Sequence, residues 1–417
     1  MSKYIVDGPS RLSGSVDIHG AKNSVLPILA ATILCDEECI IDNCPDISDV
    51  ICSFKILSHL GCKCQIENNT ALVDTKGFSD FVIPENLMRE MRSSVVFLGA
   101  ILGRAQKAVI SLPGGCELGP RPIDLHIRAL EKMGVKTTED HGNLYFSAGD
   151  GIIGTEIDLT FPSVGATENV ILAATLAKGT TVIHNAAREP EISDLADFLN
   201  SAGARIYGAG SDTITVYGVK KLHKTRHSII PDRIVAVTYM AAAAMTKSKI
   251  TVNNVMPSHI VSVLSVFKES GCEIRSSKKS IEIKAPERLM RVPTVRTLCY
   301  PGFPTDAGPL IVAMLSLANG TSVFVENIFE NRLKYTDELK RFGAKIKPEG
   351  KVAVIEGVKE LSAANCECTD LRGGGAVLIA SLAANGRTQI TKTEHIKRGY
   401  ENIAKNFKLL GASIYEE

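Results

Sequence analysis

The sequence has no uninterrupted apolar stretch of the roughly 18 to 20 residues that a membrane span requires, and its longest runs, at 240–245 and 376–384, are far shorter. It has no excess of either charge. Lys and Arg total 47 against 46 for Asp and Glu, a net +1, so no global field draws the chain to nucleic acid or an anionic membrane, and any bound anion must be met by local charge. The opening MSKYIVDGPSRLSG lacks an apolar run ahead of a small-residue cleavage site, so it reads as the start of a mature chain rather than a secretory signal. The eleven cysteines show no C-x-x-C spacing. The nearest pairs, Cys62/Cys64 and Cys366/Cys368, read as small hydrophobes on one face of a strand, and a reducing, cytoplasmic compartment with no metal fits them.

What is present is a repeat. An apolar residue, three variable residues, a glycine and a short β-like run occur six times, as LSHLGCKC, LEKMGVKT, LNSAGARI, FKESGCEI, LKRFGAKI and FKLLGASI. The glycines are Gly61, Gly134, Gly203, Gly271, Gly343 and Gly411, spaced 68 to 73 residues apart. Each copy reads as a helix end, a left-handed glycine cap and entry into a strand. A small-residue-rich helix and a strand ending in Asn or a turn residue precede each copy, most clearly in ILAATLAKGTTVIHN and IVAMLSLANGTSVFVEN. These helices are apolar nearly all round, which predicts burial inside with sheets outside. A chain of 417 residues exceeds one core, so three units in each of two similar α/β domains, facing across a cleft, is the expected division.

Several local motifs can carry chemistry. SLPGGCELGPRPIDLH, residues 111–126, sets three glycines and three prolines around Cys116 and reads as a long loop. An exposed thiol near Arg121 can serve as nucleophile or, protonated, as acid; the plain alternative is an ordinary loop cysteine. In GAKNSVLP, Asn23 is a candidate helix cap and Lys22 stands beside a helix N-terminus, where anions are favoured, unless it is simply a solvated lysine. FPTDAGP places Asp306 in a turn, where it can be a base or merely cap the next helix. TDLRGGGA offers Arg372 before glycines that permit close backbone approach without the spacing of a nucleotide-binding motif. Arg332 in FENR and Arg398 in RGY read individually as surface arginines, and SVGAT, residues 163–167, as a strand-to-helix turn or a simple cap.

Taken together, GAKN, LPGGC-x-x-G-x-RP-x-DLH, SVGAT, NAAREPEI, PDRI, FPTD, FENR, TDLR and RGY resemble the enolpyruvyl transferase family, in particular its members that act on UDP-N-acetylglucosamine, along essentially the whole chain. The resemblance implies an inside-out α/β barrel fold with two domains of three repeated units, residues 22–230 and residues 1–21 plus 231–417, with the active site in the interdomain cleft. It implies phosphoenolpyruvate and UDP-N-acetylglucosamine as substrates, no cofactor, and no nucleic-acid or membrane partner. By the same resemblance Cys116 is the proton donor and Asp306 the base. Lys22, Arg121 and Arg398 hold the phosphate, and Arg332 and Arg372 are candidates for the carboxylate or for domain closure, with Asn23 among the phosphoenolpyruvate-binding residues. Arg92, Pro122, Ile123, Asp124, Leu125, Ser163, Val164, Gly165, Thr305 and Ile328 join Asn23, Arg121 and Asp306 along the UDP-sugar. The chain departs from some members in carrying Phe161-Pro162 where they have a lysine that reaches the uridine nucleotide, and Val235 where they have an acid. The rival member of the family, which uses shikimate 3-phosphate, lacks the loop cysteine as its acid.

Overall fold

The computed structural model describes residues 2–111 and 123–417 and, at Arg92, the backbone alone. These residues form two compact units, one running from Gly20 to Ile230 and the other joining the segment that ends at His19 to Pro231–Glu417. Each unit repeats one plan three times: inner helix, central strand, outer helix, glycine turn, antiparallel strands.

The inner helices are Lys22–Ala31, Phe97–Ala105 and Val164–Thr175 in the first unit, and Arg233–Met245, Gly308–Leu315 and Leu371–Ala383 in the second. Alanine and other small or unbranched residues favour the helix, and the absence of a polar face requires that it be covered. Every residue of Arg233–Met245 and of Gly308–Leu315 is buried. In their unit the three inner helices pack on one another, and in the other Phe97–Ala105 packs on both of its counterparts. A Cβ on Gly99 would lie 2.3 Å from the Asn169 carbonyl oxygen, so this helix contact needs glycine.

Each inner helix leads into the central strand of a small sheet on the outside. Thr180–His184 is typical: it runs parallel to Glu156–Asp158 and antiparallel to Thr213–Tyr217, which pairs in turn with Arg205–Tyr207. The register sets Ile157 beside Ile183 and Ile183 opposite Ile214, so one face of the sheet is apolar and covers the helices. The sixth sheet takes a strand from the other end of the chain, with Tyr4–Gly8 lying between Ala384–Thr391 and Ser413–Glu416.

All six repeat glycines fall just beyond an outer helix with φ between 87° and 102°. In the first copy the Gly61 N–H donates to the Ser58 carbonyl and the Cys62 N–H to that of Leu57, and the other five copies repeat both bonds. This double closure satisfies the last carbonyls of each outer helix and turns the chain into the next strand. The asparagines at the strand ends have an equally local role. Asn43, Asn185 and Asn254 take φ of 54°, 53° and 48°. Their side-chain amides donate to the carbonyls of Ile229, Leu159 and Ile18, each the residue that follows the neighbouring parallel strand. The architecture is the inside-out α/β barrel that the resemblance implies, and it agrees with the repeat. Among the described residues no helix is long and apolar enough to cross a membrane. Cys62, Cys366 and Cys368 are buried and Cys64 is half-buried.

Candidate active site

Among the described candidates, Lys22, Asn23, Ser163, Val164, Gly165, Thr305, Asp306 and Arg372 lie at or just before the N-terminal ends of inner helices of their own units, where backbone N–H groups and the helix dipole favour anions. In the unit Gly20–Ile230, Lys22 is the first residue of its helix. Asn23 is not the cap expected of it. Entry is fixed by backbone bonds alone, from Ala21 N to the Ile230 carbonyl and from Ser24 N and Val25 N to the Ala21 carbonyl, which leaves Asn23 exposed in the first turn. The Lys22 Nζ lies 2.7 Å from the Asp49 Oδ2, with both side chains nearly buried. A charge so enclosed requires such a partner, and the sequence reading missed Asp49, which the first turn of the outer helix Ser48–His59 supplies.

Ser163 caps the third inner helix, its Oγ accepting from Ala166 N at 3.3 Å, and Val164 and Gly165 form the first turn. Gly165 lies against His126, whose Cε1 is 3.0 Å from where a Cβ would be. His126 Nδ1 is 2.9 Å from Asn169 Nδ2, and the Asn169 amide also donates to the Val95 carbonyl and accepts from Gly99 N. His126 thus ties the segment Ile123, Asp124 and Leu125 to the turn at Ser163. Burial pulls its imidazole down to about 4, so it is neutral at neutral pH. Phe161 is exposed and Val235 buried. Arg92 opens the 3-10 turn Arg92–Val96. Cys116, Arg121 and Pro122 lie outside the described residues.

In the other unit Asp232 caps Arg233–Met245 and Asp370 caps Leu371–Ala383, each accepting from two backbone N–H groups. Asp306 does something different. It sits in the 3-10 turn Thr305–Ala307 ahead of Gly308–Leu315 and makes no cap. Its Oδ1 accepts from Arg332 Nη2 at 3.0 Å and its Oδ2 from Arg372 Nε at 3.3 Å. Both guanidinium groups are buried, with side chains 3% and 2% exposed, so Arg332 is not the surface arginine the sequence alone suggested. Arg332 also lies 3.8 Å from Asp370, and Arg372 rests on the ring of Tyr400 at 5.4 Å. Burial works against the Arg372 charge, but Tyr400, Asp306 and Asp232 more than offset it and push its pKa up.

Tyr400 donates to or accepts from Thr238 at 2.9 Å and belongs to the RGY motif, whose Arg398 is half-buried two residues earlier. The glycine run after Arg372 serves packing. A Cβ on Gly375 would fall 2.7 Å from the Tyr400 Oη, and one on Gly374 would meet Ile396 at 2.9 Å. Thr305 and Ile328 are joined through buried Glu326, which accepts from the Thr305 hydroxyl at 2.8 Å and from Ile328 N at 2.8 Å. The arrangement offers a carboxylate, two buried guanidinium groups beside it and, two residues before Tyr400, Arg398 as a further cation for an anion.

The fold and these residues define a class. A family model described as EPSP synthase (3-phosphoshikimate 1-carboxyvinyltransferase) matches residues 6–407, and the chain belongs to that family of carboxyvinyltransferases. Among solved structures it superposes on the enolpyruvyl transferase NikO from Streptomyces tendae with a TM-score of 0.90 at 23% identity, covering 100% of this chain and 98% of that one. On EPSP synthase from Acinetobacter baumannii the TM-score is 0.75 at 18% identity, covering 100% and 99%. Within the family the chain is 52% identical to UDP-N-acetylglucosamine 1-carboxyvinyltransferase 2 of Caldanaerobacter subterraneus subsp. tengcongensis, over 99% of both chains. It is 43% identical to the Bacillus subtilis protein of the same name, over 100% of this chain and 97% of that one.

Proposed function

We propose that the protein transfers the enolpyruvyl group of phosphoenolpyruvate to the 3-hydroxyl of UDP-N-acetylglucosamine, releasing phosphate, as the first committed step of peptidoglycan synthesis in the cytoplasm. The observation that carries this reading is the end-to-end identity of 52% with a relative named for that reaction. The grouping of Asp306 with two buried arginines supports it, because a base beside paired guanidinium groups suits an acid substrate that carries both carboxylate and phosphate.

In this reading the Cys116 thiol gives its proton to the methylene carbon of phosphoenolpyruvate, leaving oxocarbenium character at the adjacent carbon. The sugar 3-hydroxyl oxygen bonds to that carbon while its proton passes to Asp306. The tetrahedral intermediate then breaks its carbon–oxygen bond to phosphate and loses a methyl proton, which restores the vinyl group. Lys22, Arg121 and Arg398 neutralise the phosphate. Arg332 and Arg372 face the carboxylate, which suits their planar donor forks. Asn23, Arg92, Pro122, Ile123, Asp124, Leu125, Ser163, Val164, Gly165, Thr305 and Ile328 contact the nucleotide sugar.

The test is phosphate release from phosphoenolpyruvate with and without UDP-N-acetylglucosamine, in the native protein and in Cys116→Ser and Asp306→Ala. Release that requires the sugar and collapses in both variants is expected. Release that requires shikimate 3-phosphate instead would reassign the acceptor.

A further inference from the structure

We propose that Glu326 is a positioning residue that makes Thr305 a hydrogen-bond acceptor beside Asp306, so that the substrate group met by Thr305 must be a donor, a hydroxyl or an amide N–H. The inference rests on the reaction proposed above and specifies how one of its binding residues discriminates.

The repeat first draws attention to Glu326. Each central strand ends at one structural position, and in three units that position holds Asn43, Asn185 or Asn254, bonded to the carbonyl of an aliphatic residue after the parallel strand. In the unit that carries Asp306, strand Thr321–Val325 ends on Glu326 instead, and Thr297 stands where the others have Ile229, Leu159 and Ile18. The amide–carbonyl clasp shifts by one residue, to Asn327 Nδ2 and the Thr297 carbonyl at 2.9 Å. Asparagine suffices to close this turn elsewhere, whereas a buried carboxylate is costly unless fully hydrogen-bonded. A local rule broken in the unit that holds the candidate base points to function.

The hydrogen bonds around Glu326 then fix proton directions. Glu326 is 1% exposed. Its Oε1 accepts from Thr297 Oγ1 at 2.9 Å, Ile328 N at 2.8 Å and Phe329 N at 3.1 Å, and its Oε2 accepts from Thr305 Oγ1 at 2.8 Å. A carboxylate only accepts, so both threonines must point their single hydroxyl protons at it. Thr297 uses its oxygen to accept from Asn327 N at 2.8 Å. Thr305, half-buried and adjacent to Asp306, is left with lone pairs to offer a ligand. In Glu326→Gln the three donors on Oε1 hold the amide oxygen in place. That puts the NH2 opposite Thr305, reverses their bond and makes Thr305 present a proton instead.

The experiment measures steady-state kinetics of sugar-dependent phosphate release for the native protein, Glu326→Gln, Thr305→Val and the double variant, with melting temperatures alongside. Glu326→Gln is expected to raise the KM for UDP-N-acetylglucosamine about tenfold, the effect of one misdirected hydrogen bond, while the KM for phosphoenolpyruvate stays within about twofold. Added to Thr305→Val, it should change the sugar KM by less than about twofold, because its effect passes through the Thr305 hydroxyl. An unchanged sugar KM in Glu326→Gln, or effects that multiply in the double variant, would overturn the inference while leaving the reaction intact. A folded native protein with no sugar-dependent release would overturn both. Should Glu326→Gln melt far below the native protein, Thr305→Ser, which keeps the acceptor, should match native KM within about twofold and Thr305→Val should not; equal behaviour of the two would refute the inference.

Discussion

Asp306 joins two buried arginines and is the proposed base, so removing it tests both stability and chemistry. Its carboxylate bonds one guanidinium at 3.0 Å and a second at 3.3 Å, and both arginines are almost completely buried. Hydrogen bonds between charged groups contribute about 1.5–3 kcal/mol each, and breaking a buried pair costs about 3–5 kcal/mol because a charge is left without compensation. Asp306 itself is 28% exposed, and Arg332 and Arg372 keep Asp370 and Asp232 near them, which reduces the cost. Asp306→Ala should therefore destabilise its unit by about 2–3 kcal/mol, lowering its melting temperature by roughly 4–10 °C for a unit of this size. Asp306→Asn should fare little better, because each oxygen accepts from a different arginine and the amide must turn its NH2 toward one of them. Differential scanning fluorimetry measures the shifts, and phosphate release measures activity on the same samples. A melting temperature equal to the native value in Asp306→Ala would refute the claim that Asp306 neutralises the two arginines. A higher one would mean that the turn at Thr305–Ala307 is strained for function, as sites under selection for activity often are.

Gly375→Ala should lower stability by about 2 kcal/mol, read by urea denaturation, because its Cβ would sit 2.7 Å from the Tyr400 Oη in a packed interior; pairing it with Tyr400→Phe should recover part of that loss. His126 makes stability depend on pH. Its imidazole titrates near 4 in the fold against about 6.5 when unfolded, so the unfolded chain binds the extra proton first as pH falls. The contribution of about 3 kcal/mol is complete above about pH 6.5 and is lost progressively down to about pH 4. Melting temperatures from pH 7 to pH 4 should fall less steeply in His126→Gln than in the native protein, and parallel curves would refute the assignment.

The parts of the fold legible in the sequence were those set by local chemistry. The six glycines announced themselves because a left-handed residue after a helix nearly demands one, and the inner helices did so because no polar face interrupts them. The candidate site was legible as a set of motifs but not as a set of contacts. Arg332 reads as a surface residue when taken alone, and nothing within a few positions of it or of Arg372 reveals that Asp306, 26 and 66 residues earlier, receives them. Asp306 and Asn23 both looked like caps, and both helices begin without one. Glu326 was invisible for the same reason as the arginines: its threonine partners are 29 and 21 residues away, across a sheet and at the head of a helix. What marked it was a departure from the repeat, which shows only once the described strand ends are compared.

The strand Tyr4–Gly8 gives the two halves of the chain different histories during synthesis. The unit from Gly20 to Ile230 contains every strand its sheets need and can close as soon as Ile230 has left the ribosome. The other unit receives one of its first strands at the outset and must hold it unpaired until Ala384–Thr391 and Ser413–Glu416 are made. Its pairing spans nearly the full length of the chain, the kind of non-local contact that folds late. Until those strands exist, a segment that belongs inside its sheet therefore trails from a domain that cannot yet accept it.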